Sequence, residues 1–435
     1  MHRKAKSHNS IFGIAWNSVL ALMVVLLVLI VVVLFIVFTA QPAQAQTFQV
    51  IHNFTGGMDG ANPQSGLTMD AAGNLYGTTY RGGTGHLGGV FKIKHSGPGW
   101  IVVPLYSFAG GNDGANPWGR VAIARDGTLY GTTYGGGEGN CVAGGYGCGM
   151  VFHLTPPATV PRTALSPWSE TVLYRFTGGN DGGTPQGDLT LDTSGNIYGT
   201  TEKGGFNDSC CGVIYELKPF GGSWTESVLY VAGQNDSYIL PNGGVIFDHS
   251  GNLYGVFTDS SNYSGGVYQL LPSGSSWTEQ IVYGFTGGSD GGKPFGGLII
   301  DSSGNLYGTT LVGGNGGGGT VFELTPTNGG WSFNTLYGLQ GSGCCYPGSW
   351  DKLAMDAAGN LYGTTQNDGA YGVGSVFKLT SSNGGWIYTS LHDFTGGSDG
   401  KYPISNLVLD ANGNLYGTAG FGGTYNSGVV FEITP

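Results

Sequence analysis

Residues 304–310 read Gly-Asn-Leu-Tyr-Gly-Thr-Thr, and this string decides the architecture because it recurs along the whole chain. Gly-Asn-Leu-Tyr-Gly or a close variant returns with its tyrosine at Tyr76, Tyr130, Tyr198, Tyr254, Tyr307, Tyr362 and Tyr416. The successive spacings are 54, 68, 56, 53, 55 and 54 residues. A period of about 40–55 residues built from short apolar runs is what propeller blades show, since each blade needs four strands and their turns. Seven copies predict an all-β, seven-bladed β-propeller.

Outward from Tyr307 the remaining strands follow. Residues 297–301 form a short apolar first strand, and Asp301-Ser-Ser-Gly-Asn305 a tight turn with Asp to cap it and Gly for positive φ. Residues 306–310 are the second strand, the Gly-rich stretch 313–319 a loop, and residues 320–325 the third strand. Residues 326–330 turn the chain, and Trp331 to Tyr337 is the outer, fourth strand. A Phe-Thr-Gly-Gly-x-Asp-Gly-x-x-Pro segment such as 285–294 leads into each new unit. Gly, Pro, Asn and Asp between short runs are the expected punctuation of an all-β chain.

The two ends are out of phase in a complementary way. The last unit stops after its third strand at residues 430–434, whereas Phe48-Gln-Val-Ile-His-Asn-Phe54 has the pattern of a fourth strand. Residues 47–54 are therefore predicted to pair with 428–434 and close the ring, covering an edge that would otherwise invite aggregation.

Before that strand, Arg3, Lys4 and Lys6 precede an uncharged apolar stretch from Val19 to Phe38 and then Ala43-Gln44-Ala45. A basic start, an apolar run and Ala-x-Ala read as a secretory signal cut after Ala45. The apolar run is long enough to span a bilayer, so a retained anchor stays open as the alternative. The expected organisation is a leader, 1–45, and a propeller, 46–435. The protein is expected to be exported, either secreted or tethered outside the membrane through an uncleaved leader and by no other segment.

Beyond the leader 13 basic residues face 27 acidic ones, a net charge of −14. That is too few cations to neutralise a phosphate backbone, so nucleic acid is not an expected partner. Only 10% of the chain is charged and 85 residues are glycine, but aromatics at 12% supply the core-forming groups that disordered chains lack.

Leu-Tyr-Gly-Thr-Thr, then Gly-Gly, Val-Phe-x-Leu and Leu-Tyr-x-Phe-Thr-Gly-Gly together resemble the GloVer (Gloeo/Verruco) tandem repeat of bacterial surface and secreted proteins. The resemblance covers nearly everything after residue 46. It implies export and a repeat architecture, and carries no activity with it.

Function has to be sought where repeats depart from their own pattern. The turns opened by Asp70, Asp192, Asp248, Asp301, Asp356 and Asp410 recur too regularly to be one site and are read as structural. The same holds for the loop aspartates Asp59, Asp113, Asp181, Asp290 and Asp399, which lack carboxylate partners at calcium-loop spacing. The loops after strands two and four share one face, and all six cysteines fall there. Cys141 and Cys148 are expected to staple one loop, and Cys210-Cys211 and Cys344-Cys345 to form two vicinal disulfides. No His stands at ligand spacing from any Cys, so no metal and no cofactor is expected.

The sharpest departures follow the loop prolines, where the chain enters the innermost strand near the axis. The seven aligned positions are Gly66, Arg120, Asp188, Gly244, Gly297, Lys352 and Asn406, with Trp118, Phe295, Trp350 and Asp351 beside them. Mixed charge with aromatics at a channel mouth suits a small polar ligand or a sugar. Inter-blade salt bridges with rim aromatics are the plainer reading of the same residues. Catalytic motifs are absent, and a carboxylate pair for glycoside cleavage would have to come from Asp188 and Asp351. The expectation is an exported, monomeric, non-enzymatic scaffold binding a glycan or a surface protein through the long-loop face. A purely structural envelope or matrix protein and a carbohydrate-active enzyme are the alternatives.

Overall fold

In the computed structural model every Leu-Tyr-Gly string is the second strand of a small antiparallel sheet, and the described residues form seven such sheets. The structure describes residues 46–435 except 142–145, 158–167, 206–210, 234–238, 260–263, 275, 342–347 and 350–351; of 1–45 it describes Met23 alone. Blade 1 runs Thr68–Met69, Leu75–Thr79, Gly89–Ser96, Gly99–Ser107, each strand hydrogen-bonded to the next. Blade 5 keeps the same order with Ile299–Ile300, Leu306–Val312, Gly317–Thr327 and Gly330–Gln340, and Gly292–Pro294 pairs as a fifth strand with Leu306–Val312.

Leu-Tyr-Gly is a strand signature for a packing reason. The glycine lies opposite the aromatic residue of the third strand, Gly77 against Phe91 and Gly308 against Phe322. A Cβ on Gly77 would sit 2.6 Å from Phe91 Cζ, and one on Gly308 2.6 Å from Phe322 Cζ. The bare backbone thus receives a fully buried ring, which offsets the loss that glycine brings to a strand interior. The tyrosine before it turns the other way along the strand, and its hydroxyl donates to the turn aspartate: Tyr76 to Asp70 at 3.0 Å, Tyr362 to Asp356 at 2.9 Å.

Closure is by the amino-terminal strand. Thr47–Asn53 pairs antiparallel with Val429–Thr434, Phe48 opposite Ile433 and Asn53 opposite Val429, and Phe54 N–H donates to Gly428 O at 3.0 Å. Blade 7 is therefore Val408–Leu409, Leu415–Ala419, Val429–Thr434 and Thr47–Asn53. Apolar clusters lie between neighbouring blades, including one that joins Phe54, Leu67 and Phe91 to Tyr416 and Val430 across the chain ends. Burial between repeats is what stabilises such an array, because one blade cannot cover its own faces.

The inner strands are shorter than the apolar runs that suggest them. Residues 297–301 contribute only Ile299–Ile300, and two paired residues are the rule outside blade 4, where Ile239–Phe247 is continuous. The reason is crowding at the axis. A Cβ on Gly187 would lie 1.5 Å from Gly243 O, and one on Gly119 would lie 2.7 Å from Gly187 O. Adjacent backbones touch there, and the chain leaves its own sheet to make that contact.

Candidate ligand site at the channel mouth

Each position that breaks the glycine pattern precedes a buried apolar residue: Arg120 before Val121, Asp188 before Leu189, Lys352 before Leu353, Asn406 before Leu407. In this lead-in to each inner strand the earlier side chain lines the axial cavity while the later one enters the blade core. Four blades thus deliver polar groups to one place. Arg120, Asp188, Lys352 and Asn406 line a single cavity at the mouth together with Trp118 and Phe295.

Arg120 and Asp188 come from blade 2 (Ala122–Ile123, Leu129–Thr133, Met150–Thr155, Ser169–Arg175) and blade 3 (opening with Thr190–Leu191) and bind each other closely. The carboxylate accepts from Arg120 N–H at 3.0 Å, from Nε at 2.7 Å and lies 2.6 Å from Nη2. Burial alone would raise the Asp188 carboxyl; the Arg120 charge and hydrogen bonds outweigh it and hold the group below the usual range, with Lys352 adding to the effect. Lys352 reaches the same spot from blade 6 (Ala354–Met355, Leu361–Thr365, Ser375–Ser382, Gly385–Asp393), across the ring. Burial, then the Arg120 charge, push its ammonium down to about 8 against the attraction of Asp188. No described residue makes an ion pair or hydrogen bond with it. The three charged side chains also line a second cavity, of about 330 Å³, that runs along the inner strands away from the mouth. They divide the axial channel.

Trp118 stands at the rim, edge-on to Tyr80 with centroids 5.3 Å apart, and 6.3 Å from the ring of Tyr134. Of the residues singled out from sequence, Trp118, Arg120, Asp188, Phe295, Lys352 and Asn406 are brought together. Trp350 and Asp351 lie outside the described residues, and with them one half of the carboxylate pair. The ion-pair reading holds for Arg120 and Asp188, and among the described residues it leaves Lys352 over.

Sequence reasoning missed Gln64 and Gln186, which line the same mouth. Both directly follow a loop proline, as do Trp118 and Phe295, so aligning that position too would have found them. Gln64 Oε1 is buried without a hydrogen-bond partner, while Gln186 donates to Glu202.

The recurring aspartates have structural work. Asp181 accepts from Thr177 N–H at 2.8 Å and from the Tyr174 hydroxyl at 3.2 Å, and Asp290 accepts from Thr286 N–H at 2.9 Å. Cys141 and Cys148 are disulfide-bonded, Cα atoms 4.8 Å apart. The bridge packs on the next blade's lead-in loop, since a Cβ on Gly178 would lie 2.4 Å from Cys141 Sγ. Cys211 is also disulfide-bonded. Cys210, Cys344 and Cys345 lie outside the described residues.

The fold and site define a class: a closed seven-bladed β-propeller with a polar, partly charged axial mouth. The chain belongs to the Gloeobacter/Verrucomicrobia repeat family, whose profile matches residues 36–166 and 240–435, more than half of its length. Blade 3, at Thr190–Leu191, Ile197–Thr200, Val213–Phe220 and Ser223–Val231, falls between the two matched regions. Among solved structures the chain is similar to the polysaccharide lyase Uly1, at 12% identity and TM-score 0.50, over 91% of this chain and 94% of that one. It is also similar to a Bacteroides fragilis protein assigned as a 6-phosphogluconolactonase, at 14% identity and TM-score 0.47, over 87% and 89%. At such identity these likenesses concern the fold alone. No curated protein matches.

Proposed function

We propose that the protein is an exported, non-enzymatic scaffold that binds a glycan at the mouth of its axial channel. The observation that carries this reading is the convergence of Trp118 and Phe295 with Asn406, Gln64 and Lys352 on one cavity. Aromatic faces for a sugar ring, with amides and a charge to orient its hydroxyls, are what a carbohydrate site needs. Tyr146, Tyr371 and Tyr425 add exposed rings in the loops after second strands, which open on the same face. A non-enzymatic role is supported by Asp188, whose two carboxylate oxygens are both engaged by Arg120. Export is supported by the leader pattern and by the Cys141–Cys148 disulfide, a bond of oxidising compartments.

The test is a glycan array probed with the protein and with Trp118→Ala/Phe295→Ala. Specific binding that disappears in the variant is the expected result. Binding that survives in the variant moves the site elsewhere, and an array without signal leaves a structural role as the better reading. Amino-terminal sequencing of the exported protein checks the leader: a chain starting at Gln46 marks cleavage, and an intact leader marks an anchor.

A further inference from the structure

We infer that the ligand of the channel mouth is an acidic sugar whose carboxylate pairs with the Lys352 ammonium. This rests on the glycan reading above and names the class of glycan.

The argument is one of charge and of unmatched groups. The described ionisable side chains lining the mouth are Arg120, Asp188 and Lys352, a local excess of one positive charge in a body whose net charge is strongly negative. Asp188 cannot serve Lys352 as a full partner, because Arg120 already occupies both its oxygens with three donors. A half-buried ammonium with no counter-ion among the described residues is costly, and a bound anion offsets that cost. The guanidinium of Arg120 spends its fork on Asp188, so among the described residues of the mouth the one cation left over is the Lys352 ammonium. A dianionic phosphate is best held by a bidentate guanidinium or several cations, whereas one ammonium suits one carboxylate.

Next to this unmatched donor lies an unmatched acceptor. Gln64 Oε1 is buried and has no partner, and it needs a hydroxyl or N–H from the ligand. The Asn406 side chain is held close by, against a glycine where any Cβ would collide with it: one on Gly66 would lie 1.2 Å from Asn406 Oδ1. A carboxylate for Lys352, a hydroxyl for Gln64 and a ring face for Phe295 or Trp118 describe a uronic acid residue.

The experiment is calorimetric titration of the whole protein with oligosaccharides of glucuronate, galacturonate and mannuronate, each beside its neutral methyl ester. At least one uronate is expected to bind about tenfold to a hundredfold tighter than its ester, the worth of a charge-assisted hydrogen bond. Lys352→Met should abolish the uronate's advantage over its own ester, the two then binding the variant equally, and an unchanged melting curve shows that the variant is folded. Equal affinity for acid and ester, or a preference that persists in Lys352→Met, overturns the inference. Tighter binding of a sulfated oligosaccharide than of any uronate overturns it as well. If neutral glycans bind and no uronate does, this inference alone falls; if no sugar of either kind binds, the glycan reading falls with it.

Discussion

Phe48 and His392 lie face to face, ring centroids 3.6 Å apart and planes 8° from parallel. The contact joins the first strand of the propeller to the outer strand of blade 6. Phe333 on Tyr283, at 4.2 Å, and Tyr388 on Tyr337, at 4.7 Å, make the same stack between other neighbours. The closing strand is thus held by the device that holds ordinary blades together, in addition to its pairing with Val429–Thr434.

Ring closure should therefore be a condition of folding. Deleting residues 47–54 uncovers the Val429–Thr434 edge, and the protein is expected to aggregate or lose its cooperative thermal transition. Phe48→Ala, which keeps the strand and removes the stack, should cost about 2 kcal/mol, somewhat less than truncating a fully buried Phe. A deletion variant that melts like the parent would refute closure as a requirement.

At the place where blades 5, 6 and 7 put an aromatic ring, blades 2 and 3 put Glu170 and Glu226. Each has a buried oxygen without a partner. Burial first, then the nearby Asp113 or Asp181, raise both carboxyls from about 4.5 to about 7. A carboxyl held above its unfolded value binds its proton more tightly in the folded chain. Its contribution is fully favourable below about pH 4.5 and is lost as pH rises to about 7. Glu226→Gln should raise the melting temperature by about 1–3 °C at pH 8, given its partial exposure, and change little at pH 4. Glu279→Gln is the control: its carboxylate accepts from the Tyr230 hydroxyl at 2.9 Å, so no gain is expected. Equal shifts at both pH values would remove the electrostatic explanation.

Thr184 precedes a loop proline with φ 51°, a left-handed conformation that a β-branched residue strongly disfavours. It is fully buried and its hydroxyl has no partner. The equivalent residues in blades 1 and 2 are Asn62 and Asn116, whose amides donate to Gly420 O at 3.0 Å and Tyr80 O at 2.8 Å in the preceding blade. Thr184→Asn should gain the matching bond to Tyr134 O and stabilise by about 1 kcal/mol. Denaturant titration decides the matter; a loss of stability would mean that the third lead-in loop is not equivalent to the first two.

The Cys141–Cys148 bridge closes a short loop on the next blade, and loss of it should cost on the order of 2 kcal/mol. Cys141→Ser/Cys148→Ser is expected to become sensitive to limited proteolysis within residues 139–149. The Arg120–Asp188 pair should be undisturbed, because it lies at the axis, just ahead of the inner strands. Unchanged proteolysis would leave the disulfide without a mechanical role.

Much of this was legible because repeats carry their own controls. Seven tyrosines at near-even spacing define seven blades, and Asp301, Gly304 and Asn305 mark a turn wherever they recur. The odd residues at one aligned position, Arg120, Asp188, Lys352 and Asn406, stood out against the glycines of the other copies. What stayed hidden was how far each strand would reach: the contact of Gly187 with Gly243 shortens the inner strands, and no local pattern reports a backbone contact between blades. Gln64 stayed hidden for a similar reason, since a glutamine after a proline is unremarkable until the axis closes around it.

The amino-acid sequence by itself determined the repeat, the strand order within a blade, the closing strand and the polar residues sent to the axis. These follow from period, turn chemistry and side-chain alternation, all of which are local. Only the tertiary structure decided that Asp188 is spent on Arg120 while Lys352, arriving from across the ring, is left over among the described residues. Curling seven sheets round one axis sets which distant side chains meet, and burial there decides which of their charges are matched.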